Sequence, residues 1–288
     1  MALPNLIIIG AAKAGTTSLH YYLDLHPEVQ MSAVKETNFF AGPPNGRAYE
    51  LGQVESLEAY EALFDPALPV RGEASPNYAS APLRAGAAER IKDLVPEAKI
   101  IYLVRDPVAR TLSHYRHRVS VSGERRSLRE VLDDHPQPSE LGETCMSLYA
   151  SQLDSYLRCF PEESILVVDQ AEFLTDRDAV LREVFAFLSV DETFTSRHFD
   201  TEKLKSSERR TYPSGYNRFM RRVVAPAGRW IPPHVRHSLR RNAEKYLFPP
   251  LPEPALESDL RSRLEQLYGP EVERLRALTG KEFATWSI

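Results

Sequence analysis

The sequence contains few of the features that define several large classes of protein. Only two of its 288 residues are cysteines, Cys145 and Cys159, which is too few for a disulfide scaffold and favours free thiols in a reducing compartment. No apolar run is long enough to span a bilayer. Residues 1–5 carry no basic segment of the kind that begins a secretory signal peptide. Together these absences predict a cytoplasmic protein.

A strong net charge is absent as well. The 36 lysines and arginines nearly balance the 40 aspartates and glutamates, and the formal charge of −4 gives no reason to expect nucleic-acid binding. Repeats, heptads and low-complexity tracts are also absent. A hydrophobic content of 42% is enough for one substantial core, so we expect a single domain over residues 1–288.

Short apolar runs alternate with helical patterns along the chain. The predicted strands are 6–9, 69–72, 99–104 and 164–168, and the predicted helices are 16–25, 83–93, 107–121, 146–159 and 176–188. This alternation predicts an α/β domain with a mostly parallel central sheet flanked by helices. Segments 41–68 and 120–145 are polar or proline-interrupted and are predicted to form lids or ligand-facing loops. Residues 256–278 are predicted to form two helices that are broken near Gly269 and Pro270.

The first strand runs directly into a glycine-rich turn and a hydroxyl-rich helix start. Gly10 and Gly15 have the G-x-x-x-x-G spacing of a nucleoside-triphosphate P-loop, but Thr16 stands where that motif needs lysine. The lysine lies inside the loop instead, at Lys13. Exposed N–H groups and cap hydroxyls at a helix start bind phosphate. We therefore predict a P-loop-like site for a 5′-phosphate that is not part of a metal-bound triphosphate. The candidate binding residues are Lys13, Ala14, Gly15, Thr16, Thr17 and Ser18.

A second phosphate site is predicted where strand 99–104 ends. Arg105 follows this strand, Asp106 and Pro107 suit the start of a helix, and Ser113 lies about two turns further on. Open α/β sheets bind ligands at the carboxyl ends of their strands. A guanidinium and a hydroxyl group at that edge suit a phosphate. A structural ion pair between Arg105 and Asp106 is the alternative.

The two motifs together resemble the sulfotransferases that use 3′-phosphoadenosine 5′-phosphosulfate (PAPS), in their heparan-sulfate-type and related bacterial branch. Residues 13–18 are similar to the family's 5′-phosphosulfate loop, and residues 105–113 are similar to its 3′-phosphate motif. The other segments in the family's order are 26–27, 35–40, 72–78 and 164–174. The resemblance implies one sulfotransferase domain, with a nucleotide-binding core over residues 5–215 and a basic, helical extension over 216–288 packed on it.

The resemblance also implies a reaction, namely sulfuryl transfer from PAPS to a hydroxyl acceptor without a metal. Lys13 would stabilise the charge that develops on the bridging oxygen. Arg210 matches the family arginine of a loop that covers the nucleotide, whereas Glu208 does not match the lysine of that loop. Ala74 stands where heparan-type members usually carry lysine. This difference predicts an acceptor other than a large, highly anionic polysaccharide.

Glu36 matches the family's general base. It would take the acceptor's proton, with the phenyl rings of residues 39–40 shielding its carboxylate from water. The alternative bases are His114 and His117. The alternative role for Glu36 is a structural ion pair with Lys35 or Lys13.

Other interpretations remain open. The acceptor could be a small molecule, a glycan or a lipid hydroxyl. The basic segment 218–245 is either a solvated helical face or a contact for an anionic acceptor, a carrier protein or a membrane surface. The competing functions are a P-loop nucleotide kinase or hydrolase, which Thr16 argues against, and a non-catalytic nucleotide-binding module. Lys13 and Glu36 argue against the latter, because a module that only binds needs neither.

Overall fold

A computed structural model describes residues 2–42, 54–199 and 256–288 of the chain. In these residues five strands form one sheet in the order β2-β3-β1-β4-β5. All four strand pairings are parallel, as the α/β prediction requires. The strands are β1 (Leu6–Gly10), β2 (Val29–Met31), β3 (Val70–Ala74), β4 (Lys99–Val104) and β5 (Ile165–Asp169).

Helices connect and flank the strands. The longest described helices are α4 and α10, and three short ones lie in segments 41–68 and 120–145. The described helices are α1 (Thr16–Leu23), α2 (Leu57–Glu61), α3 (Ala87–Leu94), α4 (Pro107–Ser122), α5 (Leu128–Asp133), α6 (Gly142–Cys145), α7 (Tyr149–Leu157), α8 (Gln170–Thr175), α9 (Arg177–Leu188) and α10 (Ser258–Thr279).

The central strand of the sheet is β1, which lies between β3 and β4. Every residue of β1 is buried, which explains why its sequence is a continuous apolar run instead of an alternating one. Ile8 pairs with Ala74 of β3 on one side and with Ile101 of β4 on the other. The later strands therefore lie on both sides of β1, with β2 and β3 on one side and β4 and β5 on the other. Such a reversal of strand order opens a ligand crevice at the carboxyl ends of the central strands.

Segment 120–145 contains more regular structure than the sequence predicts. Ser127 caps α5 in a reciprocal capping box with Glu130. The apolar side chains of α5, Leu128, Val131 and Leu132, join a second buried cluster with residues of α10. A helix of six residues is too short to be stable by its own propensity, so it forms because of this packing.

The C-terminal segment forms one continuous helix, so the predicted break near Gly269 and Pro270 is wrong. Proline inside a helix costs about 3 kcal/mol, because it removes one hydrogen bond and clashes with the preceding turn. Burial of an apolar stripe on α10 offsets this cost, and Tyr268 adds a hydrogen bond from the helix to Thr111 Oγ1 at 2.7 Å. The buried stripe consists of Leu260, Leu264, Tyr268, Val272 and Leu275.

The residues after α10 return to the carboxyl edge of the sheet. Trp286 Nε1 donates to Asp169 Oδ1 at 3.1 Å, and the Ser287 N–H donates to Asp106 Oδ2 at 2.6 Å. The other oxygen of Asp106 caps α4 by accepting the Ala109 N–H, as the sequence predicts. The end of the chain thus fastens the ends of β4 and β5 to each other. Residues 216–255 of the predicted extension lie outside the described residues, and the division at residue 215 stays a prediction.

We expect Trp286→Ala to destabilise the fold by about 3–5 kcal/mol, the usual cost of removing a buried tryptophan side chain. Trp286 is 8% exposed and stacks on Phe283 with ring centroids 4.4 Å apart. The measurement is denaturant unfolding followed by circular dichroism. Leu174→Ala is the control, because Leu174 is 59% exposed. Equal effects of the two substitutions would show that the C-terminal residues do not contribute in this way.

Candidate active site

The loop between β1 and α1 has a backbone that only a few residue types accept. Gly10, Lys13 and Gly15 have φ angles of 152°, 75° and 103°. A Cβ on Gly10 would also lie 3.1 Å from the Cβ of Ala79, so both the backbone angle and the tight space disfavour a side chain there. Helix α1 then begins without a side-chain cap on its first turn. The Ser18 N–H donates to the Gly15 carbonyl at 2.9 Å, and the positive end of the helix dipole lies at the same place, so the loop favours an anion.

Two arginines from the β4–α4 region hold the carbonyl groups of this loop. Arg105 Nη1 donates to the Lys13 carbonyl at 3.2 Å, and Arg110 Nη1 donates to the Ala12 carbonyl at 3.4 Å. Arg110 is completely buried and also donates to Ser147 Oγ and to the carbonyl of Glu143. The orientation of the loop peptides is therefore set from the neighbouring strand. Sequence reasoning missed Arg110, because nothing distinguishes it from a solvent-facing arginine on a helix.

The predicted 3′-phosphate residues lie on the same side of the sheet. Arg105 follows β4 directly, and Tyr149 OH donates to its carbonyl at 2.7 Å. Burial lowers the pKa of the Arg105 guanidinium, and the neighbouring Tyr149 and Asp106 oppose this shift. Ser113 lies two turns along α4 and is 5% exposed. The structure thus brings Arg105 to the loop that is predicted to bind the 5′-phosphate, and Ser113 lies on the helix that starts beside Arg105.

The segment after β2 carries Glu36 past the end of β3. The Glu36 N–H donates to the Ala74 carbonyl at 3.1 Å, and Asn38 Nδ2 donates to the Glu36 carbonyl at 2.9 Å. The side chain of Glu36 is 50% exposed, and its Oε1 accepts from Lys35 Nζ at 2.7 Å. Because the Glu36 side chain is half exposed, the predicted shielding by phenyl rings is not observed, and Phe39 stacks on Tyr60 with centroids 4.1 Å apart. Of the two predicted ion pairs, the structure shows the one with Lys35.

A second glutamate lies beneath this segment, and no sequence prediction assigned it a role. Glu73 in β3 is 0% exposed and accepts four hydrogen bonds of 2.7 Å from hydroxyl groups. Thr37 Oγ1 and Ser75 Oγ donate to Oε2, whereas Tyr60 OH and Tyr78 OH donate to Oε1. Burial raises the pKa of the Glu73 carboxyl group, and the four hydrogen bonds oppose that shift because they stabilise the ionised form. The feature of the sequence that could have identified Glu73 is the presence of an acidic residue inside a buried strand.

His114 is poorly suited to act as the base. Burial, with the nearby charges of Arg110 and Lys13, holds its pKa well below the usual range, so the ring is neutral. Arg110 Nη1 lies 3.2 Å from His114 Nδ1, and since arginine can only donate, Nδ1 is the acceptor. The ring proton is then on Nε2, and neither nitrogen has a lone pair left for the acceptor's proton. His117 stays an alternative.

Two further predictions are limited by the extent of the structure. Arg210 and the basic segment 218–245 lie outside the described residues. Within residues 2–42, 54–199 and 256–288, no three side chains of His, Cys, Asp or Glu form a group that could hold a metal ion.

Comparisons with known proteins identify the family. The sulfotransferase domain family matches residues 3–246. Human heparan sulfate glucosamine 3-O-sulfotransferase 6 is 28% identical over 285 residues, which cover 97% of this chain and 73% of that protein. The crystal structure of a sulfotransferase from Alicyclobacillus acidocaldarius covers 100% of both chains, with 28% identity and a TM-score of 0.72. The chain therefore belongs to the sulfotransferase family, and the predicted enzyme class, a PAPS-dependent sulfotransferase, is confirmed.

The chain is shorter than most of its curated relatives. It spans between 22% and 55% of the other heparan sulfate enzymes that it matches in human and mouse. The acceptor and the other partners of those enzymes are therefore properties of the relatives.

The predicted cytoplasmic location is contradicted by another relative. The membrane-associated sulfotransferase kil1 of Dictyostelium discoideum is 37% identical over 119 residues, which cover 40% of this chain and 23% of that protein. In the described part of the chain, no helix has the length and apolarity needed to cross a bilayer. The prediction is based on the absence of a spanning run and of a basic signal-peptide segment, and on the small number of cysteines. Those features do not report on association with a membrane surface, which needs no spanning helix.

Proposed function

We propose that this member of the sulfotransferase family transfers a sulfuryl group from PAPS to a hydroxyl group of a glycan. The observation that carries the proposal is the joining of the uncapped β1–α1 loop to Arg105 at the carboxyl ends of two adjacent strands. The named activity of the human relative, 3-O-sulfation of heparan sulfate glucosamine, supports a glycan as acceptor. Ala74, in place of the lysine of heparan-type members, favours a glycan with less negative charge than heparan sulfate.

The nucleotide would be held at both of its phosphate ends. The N–H groups of residues 15–17, the hydroxyl group of Ser18 and the ammonium of Lys13 bind the 5′-phosphate end, where the helix dipole adds to the attraction. Arg105 and Ser113 bind the 3′-phosphate. Arg210 is proposed to cover the nucleotide, as its match to the family motif implies.

The reaction forms one bond and breaks another. The acceptor oxygen bonds to sulfur while the bond between sulfur and the bridging oxygen breaks, and the 5′-phosphate leaves with that oxygen. Lys13 stabilises the negative charge that grows on the leaving oxygen. Glu36 takes the proton of the acceptor hydroxyl. Its Oε1 is engaged by Lys35, so the proton goes to Oε2.

The protein should bind adenosine 3′,5′-bisphosphate (PAP) about 10- to 100-fold more tightly than AMP, because one or two charge-assisted hydrogen bonds to a phosphate contribute about 1.5–3 kcal/mol. Isothermal titration calorimetry with the two nucleotides measures the difference in the unmodified protein. This comparison avoids substituting Arg105, which also holds the Lys13 carbonyl. Equal affinities would remove the 3′-phosphate role of Arg105 and Ser113.

Lys13→Ala should lower turnover about 10²- to 10³-fold, the usual effect of removing one group that stabilises a developing oxyanion. The affinity for PAP should fall much less, because the contact with Lys13 strengthens as the bond breaks. Steady-state assays of PAPS consumption and calorimetry with PAP separate the two effects. Lys281→Met is the control, a lysine whose described ion pair is with Glu183. A loss of affinity as large as the loss of turnover would make Lys13 an ordinary phosphate ligand.

Glu36→Gln should lower turnover by about 10²- to 10⁴-fold, the usual contribution of a positioned general base. The amide keeps the shape of the side chain and cannot take a proton, so PAP affinity should be retained. The assay should use an acceptor with an aliphatic hydroxyl, because an acidic phenol needs little help from a base. His117→Ala is the control, because His114 contacts Arg110 and its removal would also disturb the loop. Near-normal turnover in Glu36→Gln, together with its loss in a histidine variant, would reassign the base.

A further inference from the structure

We propose that Glu73 is a positioning residue for sulfuryl transfer, because its buried carboxyl group orients the hydroxyl groups that hold the backbone of residues 38–40 next to Glu36. This inference rests on the proposed role of Glu36 as the base. Glu73 itself is covered by protein and does not contact the substrate. Its effect on the reaction passes through the hydroxyl groups and the backbone that they bind.

Two of the hydroxyl groups show this connection directly. Ser75 Oγ donates to Glu73 and accepts the Asn38 N–H at 3.1 Å. Tyr78 OH also donates to Glu73 and accepts the Phe40 N–H at 3.2 Å. A hydroxyl group has a single proton, so donating that proton to the carboxyl group leaves its lone pairs for the backbone N–H. Glu73 thereby fixes both hydroxyl groups in the orientation that the segment requires.

The other two hydroxyl groups differ in whether they also contact a backbone N–H of the segment. Thr37 Oγ1 donates to Glu73 and lies 3.4 Å from the Phe39 N–H, a longer contact of the same kind. Tyr60 OH donates to Glu73 at 2.7 Å, and its described hydrogen bonding ends there. Three of the four hydroxyl groups thus connect Glu73 to consecutive backbone N–H groups, and the fourth completes the set of donors around the carboxyl group.

The held segment has a conformation that needs such support. Glu36 and Asn38 have φ angles of 63° and 52°, in the left-handed region that costs most side chains free energy. The side chain of Asn38 donates to the Glu36 carbonyl and accepts from Asn77 Nδ2 at 2.9 Å. Fixing the Asn38 backbone therefore also fixes the peptide that carries the proposed base. Released from the hydroxyl groups, Glu36 would move among conformations in which it no longer faces the acceptor.

The chemistry of the group explains why an acid occupies this position. A carboxylate offers two acceptor oxygens, one for each pair of hydroxyl donors. Glutamine has the same shape, but its nitrogen donates, so one pair of hydroxyl groups would face another donor. The described partners of Glu73 are hydroxyl groups, and burying an acid without a cation is costly. An apolar residue would suit the strand better, and the requirement for two acceptors accounts for the acid.

The matched variants Tyr78→Phe and Tyr60→Phe test the proposal. Both tyrosines are buried and donate to Glu73 Oε1 at 2.7 Å, and only Tyr78 also accepts a backbone N–H from the segment. Both substitutions keep the aromatic ring. We expect Tyr78→Phe to lower kcat about 10- to 100-fold through misplacement of the base, with little change in the affinity for PAP. Tyr60→Phe should have a much smaller effect.

Amide hydrogen exchange gives a readout that does not depend on activity. Exchange in peptides covering residues 36–41 should become faster in Tyr78→Phe and change little in Tyr60→Phe. A second pair, Thr37→Val and Thr37→Ser, removes and restores a hydroxyl group, and the serine variant should recover exchange protection and kcat. Glu73→Gln should resemble Tyr78→Phe in both measurements, provided that it folds.

The outcomes separate this inference from the proposed function. Equal losses of kcat in the two tyrosine variants, or unchanged exchange in Tyr78→Phe, would overturn the positioning role. Faster exchange with an unchanged kcat would overturn it as well, since the segment would then be held without serving the reaction. If the unmodified protein transferred no sulfuryl group to any glycan, the proposed function would fail. The exchange comparison would still show whether Glu73 holds the segment.

Discussion

The parallel pairing of β1 with β4 is the constraint on which the site depends. Because the two strands run side by side in the same direction, the loop after β1 and the arginine after β4 must meet at one edge of the sheet. The hydrogen bonds of Arg105 and Arg110 to the loop carbonyls then convert this adjacency into a fixed loop shape. The binding edge is therefore built on the buried centre of the sheet, where close packing opposes displacement.

The same edge is supported from the other side by the end of the chain. Asp106 uses one carboxylate oxygen to cap α4 and the other to bind the Ser287 backbone, while Trp286 donates to Asp169. The helix that carries Ser113 thus starts at a residue held from two directions. A small displacement of this helix start would move Arg105 and Ser113, the two residues predicted to bind the 3′-phosphate, together. The proline inside α10 is tolerated because the buried apolar stripe offsets its cost, and the helix then delivers residues 286–287 to this position.

The parts of the structure that could be predicted from sequence are those that follow from local rules. Continuous apolar runs identified β1 and β4, and Asp106 and Pro107 gave the start of α4. The continuous helix around Pro270 could not be predicted, because the packing that offsets the proline comes from residues more than a hundred positions away. The four hydroxyl groups that donate to Glu73 could not be predicted for the same reason. They come from residues 37, 60, 75 and 78, and no spacing in the sequence shows that they converge.

The two glutamates of the site divide between them properties that one residue could not combine. Glu73 is completely enclosed, and its two oxygens are saturated by hydroxyl donors, so it can hold structure but cannot exchange a proton with a substrate. Glu36 is half exposed and has one oxygen in an ion pair with Lys35. An ion pair of that exposure contributes about 0–1 kcal/mol, so it restrains the Glu36 side chain only weakly. Rigidity is thus placed one layer below the proposed base, and the proposed base itself stays accessible. This division explains why the backbone is strained at residues 36–38. It must turn the Glu36 side chain outward while its N–H groups stay bound to the interior.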